Sequence, residues 1–300
     1  MRHGYSTSLL YVFAALCLST GCATRPWPRD AAIARLNMDG ALLGLYAEVD
    51  LLGNYPGAEW SYSTHRPISL SWEPSGRLAI ASTDGSAVVY SPEGRAVKIA
   101  SVDQGCVAVA WSNRGDRLAV MQVGSNTETE SVVIHNASLE VVARVDWAAQ
   151  QDADASSVTA SLSWNEDDSL LLASVTGTTP GAILRTAPLH VIRYLDYQQT
   201  YFLDASGFIA RCAIDDTLSS YRLDGNNVVL VKKFDVSEPV VMSCARRHLF
   251  VTARTPFALL SSERRLSLRN GDGSLRSILP GMLGRTEPIA FAGLCAKETN

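Results

Sequence analysis

The chain of 300 residues lacks the clustered positive charge that nucleic-acid-binding surfaces carry. It has 26 Lys and Arg residues against 30 Asp and Glu residues, a formal net charge of −4, and it contains no basic stripe and no run of five or more like charges. Binding to a phosphate backbone depends on clustered Lys and Arg side chains. The composition therefore predicts that nucleic acid is not a partner.

Sequence motifs of catalysis and cofactor binding are also missing. There is no GxSxG, no SxxK, no glycine-rich phosphate loop after a strand, and no CxxC or His/Cys pair with the spacing of zinc ligands. His65, His135, His190 and His248 are far apart in the sequence. We predict no enzymatic activity, no metal and no cofactor; a composite site built from distant residues is the alternative.

An acidic stretch at residues 150–157 matches only the beginning of a calcium loop. Asp152 and Asp154 have the spacing that opens such a loop, but Ser157 and Ser163 stand where the loop requires Gly and Glu. We interpret the stretch as a solvated loop.

Long hydrophobic runs are absent, apart from one near the N-terminus. The run Leu9–Leu18 suits the core of a signal peptide and is shorter than the roughly 20 residues that span a bilayer. The next four residues, Ser19-Thr20-Gly21-Cys22, resemble the lipobox of bacterial lipoproteins, with Ser19 in place of the usual Leu. The resemblance implies a lipid on Cys22 and, because Ala23 follows, sorting to the outer membrane.

These features divide the chain into a signal peptide (1–21), a Pro-containing lipid-anchor tether (22–30) and one domain (31–300). We expect a periplasmic protein that touches the membrane through its N-terminal lipid alone. The alternative is an ordinary secretory peptide, which would make the protein secreted. Export permits disulfides, and the four further cysteines leave three pairings or free thiols open: Cys106, Cys212, Cys244 and Cys295.

A repeated pattern runs through the domain. Short apolar runs recur, and in the first three copies the run ends in Trp and leads into a polar turn and a second apolar strand: PISLSW (67–72), CVAVAW (106–111), TASLSW (159–164), PVVMSC (239–244) and PIAFAG (288–293). Turn sequences such as TDGS and LDGN supply a glycine for positive φ and an Asp that caps the backbone. The pattern predicts an all-β domain of short strands joined by tight turns.

The repeat resembles those of WD40-like and TolB-like β-propellers. The resemblance lies in Trp72-x-x-x-Gly76-x-Leu78-Ala79, in Trp111-x-x-x-Gly115-x-x-Leu118-Ala119 and in the Asp84-Gly85 turn. It covers most of residues 31–300, although the Gly-His and Trp-Asp dipeptides of WD40 units are absent. It implies a ring of four-stranded blades whose usual role is interaction with other proteins.

The two ends of the domain predict how such a ring closes. Residues 32–50 parallel the second and third strands of the unit at 79–94, and 288–294 reads as a first strand with little after it. We predict six blades, with the C-terminal strand completing the N-terminal blade, and seven if the second unit contains a further hairpin. The alternative is an amphipathic helix over 31–51 outside the ring.

Trp72, Trp111 and Trp164 share one position, at the end of the first strand of a unit. A large ring that recurs at one repeat position is expected to pack between blades, since it buries roughly 150–250 Å². The alternative is a set of tryptophans that line the mouth of a channel and bind a ligand.

Repeat position also selects the loops in which we expect contacts with a partner protein, and the candidate residues are His65, Arg66, Asp84, Glu128, Glu130, Asp152, Asp154, Arg254 and Arg285. We predict an exported, lipid-anchored propeller that acts as a binding platform or scaffold in the cell envelope, or as an inhibitor of a secreted protein. Two alternatives are a propeller hydrolase, lactonase or lyase with a site at the central channel, and a eukaryotic WD40-type scaffold subunit.

Overall fold

All regular elements of the structure, a computed structural model, are β-strands. It describes residues 33–36, 42–46, 51–54, 67–82, 85–91, 96–100, 105–123, 129–148, 150–151, 160–175, 178–179, 181–212, 217–235, 240–245, 248–254, 263–278, 283–284 and 289–291. The prediction of an all-β fold is confirmed.

Three short strands come first in the described chain: β1 (Ile33–Leu36), β2 (Leu42–Tyr46) and β3 (Leu51–Asn54). A four-stranded sheet follows, formed by β4 (Pro67–Trp72), β5 (Leu78–Ser82), β6 (Ala87–Tyr90) and β7 (Ala96–Ala100). The next sheet consists of β8 (Gly105–Trp111), β9 (Arg117–Val123), β10 (Thr129–Asn136) and β11 (Val141–Ala148), and β12 (Gln150–Gln151) comes after it.

The third sheet contains β13 (Ala160–Trp164), β14 (Leu170–Val175), β16 (Gly181–Thr186) and β17 (Leu189–Leu195), while β15 (Thr178–Thr179) pairs with β12. The fourth contains β18 (Tyr197–Phe202), β19 (Gly207–Cys212), β20 (Leu218–Asp224) and β21 (Asn227–Lys233). The fifth contains β22 (Val240–Cys244), β23 (Leu249–Arg254), β24 (Glu263–Asn270), β25 (Leu275–Ile278) and β26 (Leu283–Gly284), and β27 (Ile289–Phe291) ends the described chain.

Each of these five sheets is an antiparallel meander of consecutive strands, and we call them blades 1 to 5. Tight turns join the strands because glycine adopts positive φ where the turn requires it, as at Gly85 (φ 79°) and Gly225 (φ 58°). Both glycines lie in the Asp-Gly turns that the sequence predicts.

A sixth sheet joins the two ends of the described chain in the order β27-β1-β2-β3. Ile33 pairs with Phe291 and Arg35 with Ile289. Because β1 and β2 are paired strands, the alternative of a helix over residues 31–51 is wrong for the described part of that segment. The five consecutive blades differ from the predicted count of six or seven, and six is reached only if this split sheet is counted.

The first strands of successive blades lie side by side. β4 contacts β8, β8 contacts β13, β13 contacts β18 and β18 contacts β22, while β27 contacts both β22 and β4. The first strands are therefore the innermost strands, and the last strand of each blade lies outermost.

Apolar side chains fill the boundaries between blades. Between blades 1 and 2 the cluster contains Ala79, Ala81, Ala87, Val89, Val109, Trp111, Leu118 and Val120, all buried. Residues of blades 2 and 3 form a second cluster that includes Met121, Ile134, Trp147, Trp164 and Leu171. Because side chains of a strand alternate between its two faces, blades 2, 3 and 4 each contribute one face to each of two clusters.

The tryptophans lie where the repeat predicts, and two of them are packed between blades. Trp111 and Trp164 end the innermost strands β8 and β13, and both side chains are buried in these clusters. Trp72 ends β4 and is half-buried. Phe202 holds the same position in β18 and is fully buried, a match the sequence comparison did not include. Cys212 lies in β19 as a free thiol.

Candidate functional site

The antiparallel strands give each blade two ends. We call one end the turn face; there the first strand of a blade turns into its second, at residues 73–77, 112–116, 165–169 and 203–206. The opposite end is the loop face, where the innermost strands begin and the second strands end. Equivalent ends lie together because neighbouring innermost strands run parallel: the Ser69 hydroxyl accepts a hydrogen bond from Val109 N and the Ser71 hydroxyl from Trp111 N.

In chain order, the nine predicted contact residues belong to, precede or follow strands whose nearest described ends lie at the loop face. Residues 65–66 precede β4, residue 84 lies between β5 and β6, and residues 128–130 lie at the start of β10. Residues 152 and 154 come between β12 and β13, residue 254 ends β23, and residue 285 lies between β26 and β27. His65, Arg66, Asp84, Glu128, Asp152, Asp154 and Arg285 are outside the described residues, as is Cys22.

Glu130 corrects one of these predictions. It lies within β10, not in an exposed loop, and its side chain is fully buried. Its cross-strand neighbours are Val123 in β9 and the buried Trp147 in β11. The polar sequence TETE at residues 127–130 suggests a solvated loop, but strand pairing continues to Thr129 and places Glu130 inside the sheet. Glu130 is therefore not a contact residue of the loop face.

The described frame of the loop face is held by short hydrogen-bonded segments. Ser82 N donates to Ser86 O at 3.0 Å and Gly85 N donates to Ser82 O at 3.0 Å, which fixes the turn that carries position 84. Gln150 and Gln151 pair with Thr179 and Thr178, so the chain just before position 152 is tied to blade 3. At the end of β23, Arg254 pairs in register with Arg265 of β24. The described residues that flank these loops are therefore hydrogen-bonded within or between blades.

On the turn face, Asp168 joins the turns of blades 2 and 3. Its buried carboxylate accepts hydrogen bonds from Asn113 N (2.8 Å), Asn113 Nδ2 (2.7 Å) and Arg114 N (3.1 Å). Its backbone carbonyl accepts from Arg117 Nη2 at 2.7 Å. Asp168 has a φ of 63°, a left-handed conformation that Asp tolerates better than most residues. Asp168 therefore connects the turns of two neighbouring blades.

Arg77, in the turn of blade 1, contacts blade 2, where its Nη1 donates to Ala137 O at 2.7 Å. Arg77 donates to both carboxylate oxygens of Glu73, from Nη2 at 2.7 Å and from Nε at 2.8 Å. Its guanidinium lies over the Trp111 ring, 4.5 Å from the centroid, and Arg117 lies over Trp164 in the same way at 4.9 Å. Gly115 approaches Glu73 so closely that a Cβ would lie 2.8 Å from Glu73 Cγ. These groups make the turn face a rigid structural layer.

Hydroxyl groups of the innermost strands bind the neighbouring strand. Besides Ser69 and Ser71, the Ser163 hydroxyl accepts from Phe202 N at 2.9 Å. Ser163 and Ser243, on the innermost strands of blades 3 and 5, bring their Oγ atoms within 3.4 Å of each other. The serine hydroxyls of the innermost strands therefore connect these strands to one another.

Sequence reasoning missed these contacts between blades. The signal available was the recurrence of a polar residue directly after the aromatic position, namely Glu73, Ser112 and Asn165. Each accepts or donates within a turn, and Asn165 Nδ2 also donates to Ala205 O of blade 4 at 2.8 Å.

The described residues contain no group of three or more His, Cys, Asp and Glu side chains arranged to hold a metal ion. None of the described segments is a helix with the length and apolarity needed to cross a membrane.

Comparison with solved structures identifies the architecture. A protein of unknown function from Bacteroides caccae superposes with a TM-score of 0.58 at 11% identity, covering 87% of this chain and 99% of that one. The β-propeller domain of Cps50 (Swd1) from Myceliophteria thermophila gives 0.51 at 15% identity, covering 84% and 87% of the two chains. The chain is a β-propeller.

A protein assigned as TolB from Agrobacterium tumefaciens is a further structural neighbour of the propeller, with a TM-score of 0.51 at 11% identity, covering 87% of this chain and 98% of that one. The resemblance to TolB-like and WD40-like propellers is thus confirmed at the level of the fold. The propeller matches no protein-family model, and no curated protein sequence is significantly similar to it.

Proposed function

We propose that the protein is an exported, lipid-anchored propeller that binds another protein in the cell envelope through its loop face. The observation that supports the proposal is that the described strands next to these loop positions in the chain have their nearest ends at one face. With buried Glu130 removed, the proposed contact positions are His65, Arg66, Asp84, Glu128, Asp152, Asp154, Arg254 and Arg285.

The turn face has polar groups that join blades, and this structural use of one face supports a binding role for the other. The turn face and the innermost strands use their polar groups to hold blades together, as at Asp168 and Ser163. A rigid disc of this kind leaves the connecting loops at the opposite face free to vary without disturbing the strands. Because the hydroxyls of the innermost strands act structurally, we propose binding rather than catalysis.

We further propose that the split sheet is a sixth blade and that β27 closes the ring. The contacts of β27 with both β22 and β4 support closure, since closure leaves no innermost strand unpaired at the junction. Deletion of residues 288–300 removes β27 and should lower the melting temperature sharply. Deletion of residues 292–300 keeps β27 and is the matched control. Equal melting of both deletion variants and the intact protein would show that the ring does not close there.

Site-specific photo-crosslinking tests the loop face as the binding surface. A photoreactive amino acid is placed at position 84 or 152 on the loop face, and at exposed Glu140 or Asp272 on the turn face as controls. We expect the loop-face positions to capture one specific protein from intact cells and the turn-face positions to capture none. Adducts from the turn face alone, or from no position, would refute the proposed surface.

Lipid anchoring is tested separately with Cys22. Metabolic labelling with a palmitate analogue should label the wild-type protein and leave Cys22→Ser unlabelled. We expect the wild type in the outer-membrane fraction and the variant in the soluble periplasmic fraction. An unlabelled wild-type protein would remove the anchor from the proposal and leave a secreted or soluble periplasmic propeller.

A further inference from the structure

The outermost strand of blade 4, β21, exposes three consecutive large apolar residues, whereas the outer strands of the other four blades each expose at most two. Val229, Leu230 and Val231 follow one another and are 48%, 48% and 55% exposed. Successive residues of a regular strand point to opposite faces, so Val229 and Leu230 expose both faces of β21, and the register shift against β20 falls at Val231. Within the described chain, β21 ends its sheet and pairs with β20 alone.

Two other outer strands place charged or buried residues close to their apolar residues. β11 carries the Arg144–Asp146 ion pair (2.8 Å), and its Trp147 is buried. β17 carries exposed Arg193 and ends in buried Leu195. Exposed edge strands avoid unwanted pairing by placing charges along the edge. In β21 the charges, Lys232 and Lys233, stand at its end, and residues 228–231 carry none. A register shift against the third strand occurs in all five blades, so it does not distinguish β21.

We propose that β21 pairs edge to edge with β21 of a second copy of this chain, antiparallel and centred on Leu230. In this register Val229 of one copy faces Val231 of the other, and Leu230 faces Leu230 across the two-fold axis. A two-fold axis requires a surface that complements itself, and the apolar centre of β21 meets that condition. The contact continues each four-stranded blade into an eight-stranded sheet.

The charges at the ends of β21 favour the antiparallel arrangement. Exposed Lys233 lies at one end, and exposed Asp224 pairs with Asn227 at the other. In the proposed register Lys233 of the second copy faces Asn227, so its Cα lies two strand spacings, roughly 10 Å, from that of Asp224. The side chains can meet across this distance. A parallel arrangement would instead place the lysines of the two copies together.

Antiparallel pairing has a consequence for the binding platform. Because strands run between the two faces of the propeller, reversal of the strand direction points the loop faces of the two copies in opposite directions. The dimer then offers two loop faces that point away from each other, so each face would bind its own partner molecule.

The oligomeric state of the full-length protein in detergent tests the pairing. Sedimentation should show a dimer for the wild type, and Leu230→Lys should raise the dissociation constant about tenfold or more because it places two lysines on the axis. Val142→Lys on β11 is the control, since Val142 is 56% exposed and belongs to an equivalent outer strand. A wild type that stays monomeric at the highest concentration reached, or equal loss of dimer in both variants, would overturn the proposal.

Disulfide trapping gives a readout that does not depend on a charged substitution. Residues directly opposite in antiparallel strands have Cα atoms about 4.5–5.5 Å apart, within the range of about 4.4–6.8 Å that a disulfide spans. Leu230→Cys should therefore form a covalent dimer under mild oxidation, whereas Val142→Cys and the wild type should not. Trapping at position 230 no greater than at position 142, or capture of an unrelated protein at position 230, would reject self-pairing.

Discussion

The boundaries between blades 1, 2 and 3 are built around tryptophan and charged groups, whereas those between blades 3, 4 and 5 are built around phenylalanine and tyrosine. At the first two, an arginine lies over Trp111 or Trp164. At the third, Phe208 stacks on Tyr221 at 5.4 Å and meets Phe202 edge-on at 6.3 Å. The same repeat geometry is thus stabilised by two chemistries.

The two kinds of boundary depend on different terms of the folding free energy. Aromatic pairs gain mainly from burial and ring contact, and burial raises the pKa of Tyr221 well above its ordinary value, so its phenol stays neutral. The tryptophan boundaries add buried polar groups whose value depends on complete hydrogen bonding. A substitution in the aromatic boundary should therefore lower the stability through lost burial, and one in a tryptophan boundary through unsatisfied hydrogen-bonding groups.

The largest effect is expected in the aromatic boundary. Phe208→Ala removes a fully buried ring between blades 3 and 4 and should lower the free energy of unfolding by about 3–5 kcal/mol. Urea unfolding followed by tryptophan fluorescence and circular dichroism measures the loss. A cost below about 1 kcal/mol would mean that the boundary collapses around the missing ring.

The polar boundary is probed at Asp168. Asp168→Ala leaves Asn113 N, Asn113 Nδ2 and Arg114 N without their acceptor, and the loss should be about 2–3 kcal/mol. Exposed Asp167→Ala is the control and should cost little. Asp168→Asn keeps an acceptor and tolerates positive φ, so it should recover part of the loss. Equal unfolding free energies for Asp168→Ala and Asp167→Ala would contradict the role of the buried carboxylate.

Alanine substitutions at two glycines distinguish the cost of crowding between blades from the cost of backbone strain. Gly115 and Gly225 both have positive φ, at 74° and 58°, but only Gly115 faces Glu73, while the site of a Cβ on Gly225 is open. Gly115→Ala should therefore cost about 1–2 kcal/mol more than Gly225→Ala. Thermal unfolding of the two variants measures the difference. Matching losses would show that the turns of blades 1 and 2 separate readily.

The smallest effect concerns pH and the first tryptophan boundary. His135 is buried in β10 opposite Leu118, which belongs to the cluster between blades 1 and 2. Burial lowers the pKa of His135 below its ordinary value of 6.5. The unfolded chain therefore binds more protons below about pH 6.5, and the free energy of unfolding falls as the pH falls towards the lower folded pKa.

This effect amounts to at most about 1.4 kcal/mol for each pKa unit of the shift. Chemical unfolding at about pH 7.5 and 5.5 compares the wild type with His135→Gln, in which the contribution is gone. We expect the wild type to lose more stability on acidification than the variant. If the unfolding free energies of the two proteins changed equally with pH, His135 would not contribute to the pH dependence of stability.

Much of the fold follows from local pattern. Trp111 and Trp164 lie at the predicted ends of the innermost strands, and the pairing of β1 with β2 follows the match of residues 32–50 to a later repeat. The sequence comparison did not assign Phe202 to the tryptophan position because its unit, TYFLDASGFIA, lacks the tryptophan of the first three copies. Glu130 was misplaced because a charged residue in a polar stretch carries no local sign of burial.

The sequence by itself determined the strands, the turns and the repeat, because side-chain alternation and the φ preference of glycine act between residues close in the chain. The tertiary structure decided which polar groups join blades, since Asp168 meets Asn113 across 55 positions. It also buried Glu130 inside the second blade and left Val229, Leu230 and Val231 exposed at an outer edge. Such relations depend on how blades pack against one another, and no local pattern records them.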